Sequence, residues 1–87
     1  MRIWFKQYKD THLLKDMVVE DYSDANRTRK VFDAIHKMSY EFDLAEPIWL
    51  ESSIREFKRF ARVRFRKDNF MEEIDFDYLE MHVIEED

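Results

Sequence analysis

The chain has 87 residues, a net charge of −5, no cysteine and no glycine. Disulfide frameworks, thiolate chemistry and cysteine-based zinc sites are thereby excluded. So are the phosphate loop, the dinucleotide fingerprint and the nucleophile elbow, all of which need glycine to bring backbone close to a ligand or to turn sharply.

Eight Phe, four Tyr and two Trp supply the apolar bulk for one core, so residues 1–87 are expected to form a single folded domain. The segment Arg2–Tyr8 and the segment Leu13–Tyr22 read as two strands of a hairpin, rich in aromatic and β-branched residues. Lys9-Asp10-Thr11-His12 joins them. A two-residue type I′ turn favours glycine, so a slightly longer loop is expected here.

A helix capped by Ser23 or Asp24 follows and runs to about Phe42. Val31, Ile35, Met38 and Phe42 draw its apolar stripe, which Phe32 widens; Arg27, Lys30, Asp33, Lys37 and Glu41 fall largely on the polar side. Pro47 breaks the chain, and Ile48-Trp49-Leu50 is a short apolar connector. Ser53 and Glu56 fit a capping box, which starts a second helix ending near Ala61, with Leu50, Ile54, Phe57 and Ala61 on its buried side.

From Arg62 the period becomes two, so Arg62, Arg64 and Arg66 form the outer row of a strand. Lys67-Asp68-Asn69 is a turn. Ile74, Phe76 and Tyr78 alternate with Glu73, Asp75 and Asp77, while Leu79, Met81 and Val83 continue on the other parity, which suggests a bulge or a strand covered on both faces. The order ββααββ predicts an α+β fold: an antiparallel sheet of about four strands with two helices on one face.

Charge separates along the sequence only near its end. Residues 55–67 carry +6 and residues 68–87 carry −9. If Arg62, Arg64 and Arg66 face Glu73, Asp75 and Asp77 across a hairpin, the two rows neutralise one another and specify register. If the basic block is free, Arg55, Lys58, Arg59, Arg62, Arg64 and Arg66 form a candidate interaction surface for phosphates, with Phe57, Phe60 and Phe65 interleaved for stacking. The run Arg59–Phe65 resembles the strand consensus of RNA-recognition motifs but lacks its glycine. Glu73, Asp75, Asp77 and Glu80 form a candidate acidic surface for a basic protein.

Catalytic signals are thin. Asp75 and Asp77 share a strand side but lack ligands from other elements. His12, His36 and His82 are scattered, and His82 reads as a hydrogen-bonded structural residue. Glu56-Phe57-Lys58 matches only a fragment of a nuclease pattern. Trp4, Trp49 and Tyr40 would line a pocket between layers, or more simply pack in the core.

Met1–Lys6, Tyr40–Leu44, Pro47–Leu50, Glu56–Arg59 and Ile74–Asp87 together resemble a group of short bacterial proteins of unknown function. The resemblance covers nearly the whole chain, implying a complete small protein, and brings no activity, ligand or site residue with it.

The expectation is a small acidic cytoplasmic protein with no catalytic, cofactor or metal residues, acting as a non-enzymatic protein-interaction or regulatory module. Nucleic-acid binding through residues 55–67 is the alternative. No apolar run is long enough for a signal peptide or a membrane span. A homodimer through the edge of the C-terminal strand is a further expectation.

Overall fold

The computed structural model describes every residue from Met1 to Asp87. Its elements are β1 (Arg2–Lys9), β2 (His12–Glu20), α1 (Arg27–Phe42), α2 (Glu51–Phe60), β3 (Arg62–Phe65), a 3-10 turn (Lys67–Asn69) and β4 (Tyr78–Glu85). The strands form one antiparallel sheet in the order β2-β1-β4-β3. The expected α+β class and ββααββ order hold.

Strand alternation sorts side chains between two faces. Ile3 and Phe5 of β1, Val19 of β2, Val63 and Phe65 of β3, and Leu79, Met81 and Val83 of β4 are buried beneath the helices. The α1 stripe of Val31, Ile35, Met38 and Phe42 closes over them, with Phe57 from α2. Phe32 does not join this stripe; it lies at the surface with its edge toward Trp49. The other face of the sheet has no helix over it.

Two residues, not a longer loop, turn the hairpin. Asp10 and Thr11 adopt φ 52° and 66°, the left-handed pair of a type I′ turn, in a chain with no glycine to place there. Asp43 (φ 54°) and Ala61 (φ 53°) close α1 and α2 in the same conformation. The register shift beyond Gln7 leaves Leu14 of β2 without a partner on β1, a bulge close to the hairpin turn.

The helix starts also differ from expectation. Asn26 caps α1, its side chain accepting from the Arg29 amide at 2.9 Å, because Ser23 and Asp21 are engaged in their own turn. Leu50 precedes α2, and Ser53 lies inside the first turn, where it accepts from Asn69 Nδ2 at 2.8 Å. Glu56 reaches the Arg64 amide instead of closing a capping box.

β4 is an interior strand, hydrogen-bonded to β1 and β3, so its edge is not open for dimerisation; the sheet edges are β2 and β3. Residues 70–77 are irregular, not strand. Phe70 and Phe76 turn into the core and meet edge to face at 5.9 Å, which explains the parity change: it marks where the strand begins, at Tyr78.

Candidate functional site

The opposed charge rows are not built. β3 pairs with residues 79–82, so Arg62 lies across from His82 and Arg64 across from Glu80. Glu73 and Asp75 are exposed in the irregular segment. Asp77 accepts from the Asp10 amide at 2.8 Å, and its own amide donates to the Tyr8 carbonyl, so it pins that segment to the hairpin turn.

The basic block is divided by the fold. Arg55, Lys58 and Arg59 sit on α2, in the helix layer, whereas Arg62 and Arg64 point from β3 to the helix-free face. Arg55 pairs with Glu51, and Arg64 with Glu80; Lys58, Arg59, Arg62 and Arg66 have no carboxylate within 4 Å. Of the interleaved aromatics, Phe57 and Phe65 are core and only Phe60 is exposed.

An apolar groove opens between α1 and α2. Its cavity measures about 280 Å³, with Phe32, Trp49, Ile54 and Phe57 as walls and Arg27 and Lys58 at the rim. Phe32 is 51% exposed and Ile54 39%, so the groove presents apolar surface to solvent. Trp49 is held by three ring contacts, to Phe32, Phe57 and Phe65, and carries a buried indole N–H with no acceptor in the chain. Arg27 lies over the Phe57 ring while its guanidinium pairs with Glu86 at 2.9 Å.

Asn69 fixes that wall. Its side chain donates to the Ile48 carbonyl and the Ser53 hydroxyl and accepts from the Arg66 amide, all at 2.8–2.9 Å. The connector before Trp49, the start of α2 and the end of β3 are thus tied at one buried amide. A turn was legible there in the sequence; the staple was not, since all three partners are distant or backbone groups.

On the helix-free face, four charged residues form one cross-strand row: Asp16, Lys6, Glu80 and Arg64. Lys6 Nζ lies 2.8 Å and Arg64 Nε 3.2 Å from the Glu80 carboxylate, whose side chain is only 7% exposed. Burial is the largest single influence on Glu80 and pushes its carboxyl up; hydrogen bonds and charge from Lys6 and Arg64 together outweigh it, leaving the group below its ordinary value. Trp4 donates its indole N–H to Asp16 at 2.8 Å, Lys6 lies over the Trp4 ring, and Arg64 lies over Tyr78. Trp4 therefore belongs to this face, and Tyr40 is almost fully exposed on α1, so the two do not converge with Trp49 on a pocket. His82 is half-buried on the same face, and its imidazole makes no hydrogen bond within the chain, so it is not the hydrogen-bonded histidine expected from the sequence.

The remaining perturbed groups have local causes. Hydrogen bonds from Ser23 lower Asp21, those from Lys30 and the Met1 amino group lower Asp87, and those to Glu86 and Glu80 raise Arg27 and Arg64. Burial, then a hydrogen bond to Glu20, raises Tyr22. Lys30, expected on the polar side of α1, is 3% exposed because Asp87 meets it at 2.8 Å. No three His, Asp or Glu side chains are grouped to hold a metal ion, and no helix is long and apolar enough to cross a membrane. No family model, curated protein or solved structure matches the chain.

Proposed function

We propose that this protein is a non-enzymatic protein-binding module that captures a short amphipathic segment in the groove between α1 and α2. The groove itself carries the reading: exposed Phe32 and Ile54 flank a floor of Phe57 beside Trp49, and Lys58 stands unpaired at the rim. Contiguous apolar surface rimmed by polar groups is what a helix-in-groove interaction uses. The unpaired cation selects acidic residues beside the apolar anchor. Trp49 in the groove wall carries a buried indole N–H with no acceptor in the chain, so this ring is the side chain whose environment a bound segment changes most.

Selection from a random peptide display library tests this. Enriched sequences should carry a large apolar anchor flanked by Asp or Glu, lose binding to Ile54→Glu and bind Lys58→Glu several-fold more weakly. No enrichment, or binders indifferent to both variants, would refute the reading.

A second reading, nucleic-acid binding, is favoured by the absence of carboxylates near Lys58, Arg59, Arg62 and Arg66. It requires oligonucleotide affinity that falls steeply with salt and is lost in Arg62→Glu/Arg66→Glu. The division of the block between two layers weighs against one continuous phosphate track.

A further inference from the structure

The helix-free sheet face carries an ordered pattern that the groove reading does not use. Its central row reads Asp16, Lys6, Glu80, Arg64 from β2 to β3, alternating in sign. The row on one side reads Val18, Trp4, His82, Arg62, and on the other side Tyr8 lies against Tyr78 with ring centres 5.2 Å apart. The face is already arranged in the single chain, through the Trp4–Asp16 hydrogen bond and the Lys6–Trp4 and Arg64–Tyr78 contacts. Docking on such a surface orders few side chains, which lowers the entropic cost of association.

We infer that the occupant of this face is a second copy of the chain, packed sheet to sheet about a two-fold axis parallel to the strands and midway between β1 and β4. Such an axis keeps each row at its own level while reversing its order. Asp16 then meets the partner's Arg64, and the Lys6–Glu80 pair, already joined within each chain, stacks on its copy in the opposite orientation. Trp4 meets the partner's His82, Val18 meets the partner's Arg62, and Tyr8 meets the partner's Tyr78. The charged row meets its partner with opposite signs, Trp4–His82 and Tyr8–Tyr78 are aromatic pairs, and Val18 lies against the aliphatic stem of the partner's Arg62, so no like charges meet. A two-fold axis in the same plane but perpendicular to the strands would set β2 on β2 and β3 on β3, bringing Asp16 onto Asp16 and Arg64 onto Arg64. Like charges in that arrangement are repulsive, so the pattern selects one orientation. The twist of each sheet turns the two strand directions by about 30°.

The area sets the strength. Four strands about 4.8 Å apart, each contributing some seven residues at about 3.3 Å, give a face of roughly 19 by 23 Å. Two such faces bury about 900 Å² in total, below the roughly 1,200 Å² of stable specific complexes, so the dimer is weak and concentration-dependent. It leaves the groove of each copy on the outer side, away from the two-fold, so the assembly presents two grooves.

Sedimentation velocity over a concentration series tests the arrangement at Val18, which is partly exposed on the edge strand β2 and faces the partner's Arg62 only in this geometry. The wild type should shift from monomer to dimer as concentration rises. Val18→Arg should weaken association at least tenfold, Val18→Glu should preserve or tighten it, and Val18→Arg/Arg62→Glu should restore it. Ile54→Glu, in the groove, should leave dimerisation unchanged, which separates this inference from the groove reading. Circular dichroism melts within a few degrees of wild type confirm that each variant is folded. A wild type that stays monomeric overturns the inference. So does equal dimerisation of the two Val18 variants, which would indicate pairing along the β2 edge, or loss of the dimer in Ile54→Glu, which would place the contact in the helix layer.

Discussion

Replacing Glu80 by Gln removes the one acceptor that two cations share on the helix-free face. Arg64 is 44% exposed and recovers hydration once released, so its loss is small. Lys6 is 12% exposed and remains largely desolvated without its counter-charge. Buried charged hydrogen bonds contribute about 1.5–3 kcal/mol, and Gln retains one neutral acceptor, so we expect about 2 kcal/mol of destabilisation. For a domain of this size that is a fall in melting temperature of roughly 8–16 °C. The cycle of Glu80→Gln with Lys6→Met should give a coupling of about 1.5 kcal/mol, and Lys6→Met/Glu80→Leu should recover most of the loss by replacing the pair with apolar groups. The assay is urea and thermal unfolding, at concentrations low enough to keep the chain monomeric. The pH dependence carries a definite sign. Because the folded carboxyl titrates below its ordinary value of 4.5, its stabilisation is present above that pH and is lost as pH falls through the folded value. Glu80→Gln should therefore flatten the acid limb of the stability curve. A Glu80→Gln variant within 0.5 kcal/mol of wild type, with an unchanged acid limb, refutes the reasoning.

Three further outcomes follow from the geometry. Asn69→Ala strands the Ile48 carbonyl and the Arg66 amide and should cost about 2–4 kcal/mol by urea unfolding, with a changed Trp49 fluorescence maximum. Thr11→Gly and Asp43→Gly relieve side-chain strain at φ 66° and 54° and should each raise stability by about 1 kcal/mol, additively, since they lie in separate turns. Glu73→Lys and Asp75→Lys should leave stability within about 0.5 kcal/mol, because neither residue is part of an ion pair; a larger loss would mean that the opposed charge rows exist in solution.

Local periodicity made the architecture legible. The α1 stripe, the two hairpin strands and the alternation of β3 were all written in spacing, and the element order fixed the class. What failed were features decided by distant partners. Ser53 and Glu56 have the spacing of a capping box, yet Asn69 claims the first and the Arg64 amide the second. Glu73, Asp75 and Asp77 alternate like a strand, but burying Phe70 and Phe76 requires an irregular path. Lys30 has a polar-side position that Asp87 covers from the far end of the chain. Glu80 was among the acidic candidates. Its parity with Tyr78 and His82, opposite to Leu79 and Met81, is the signal that could have placed it on the uncovered face beside Lys6 and Arg64. The groove left only a weaker trace, an aromatic pair, Phe32 and Trp49, in excess of what the stripe needs.

The most direct test of the binding account is a heteronuclear NMR titration of the labelled chain with a library-selected acidic amphipathic peptide. The account predicts that the Trp49 indole N–H and the amides of Phe32, Ile54 and Lys58 shift with saturable amplitude while those of β3 stay in place. Shifts confined to Arg62–Arg66, or none at the Trp49 indole at saturation, would contradict it.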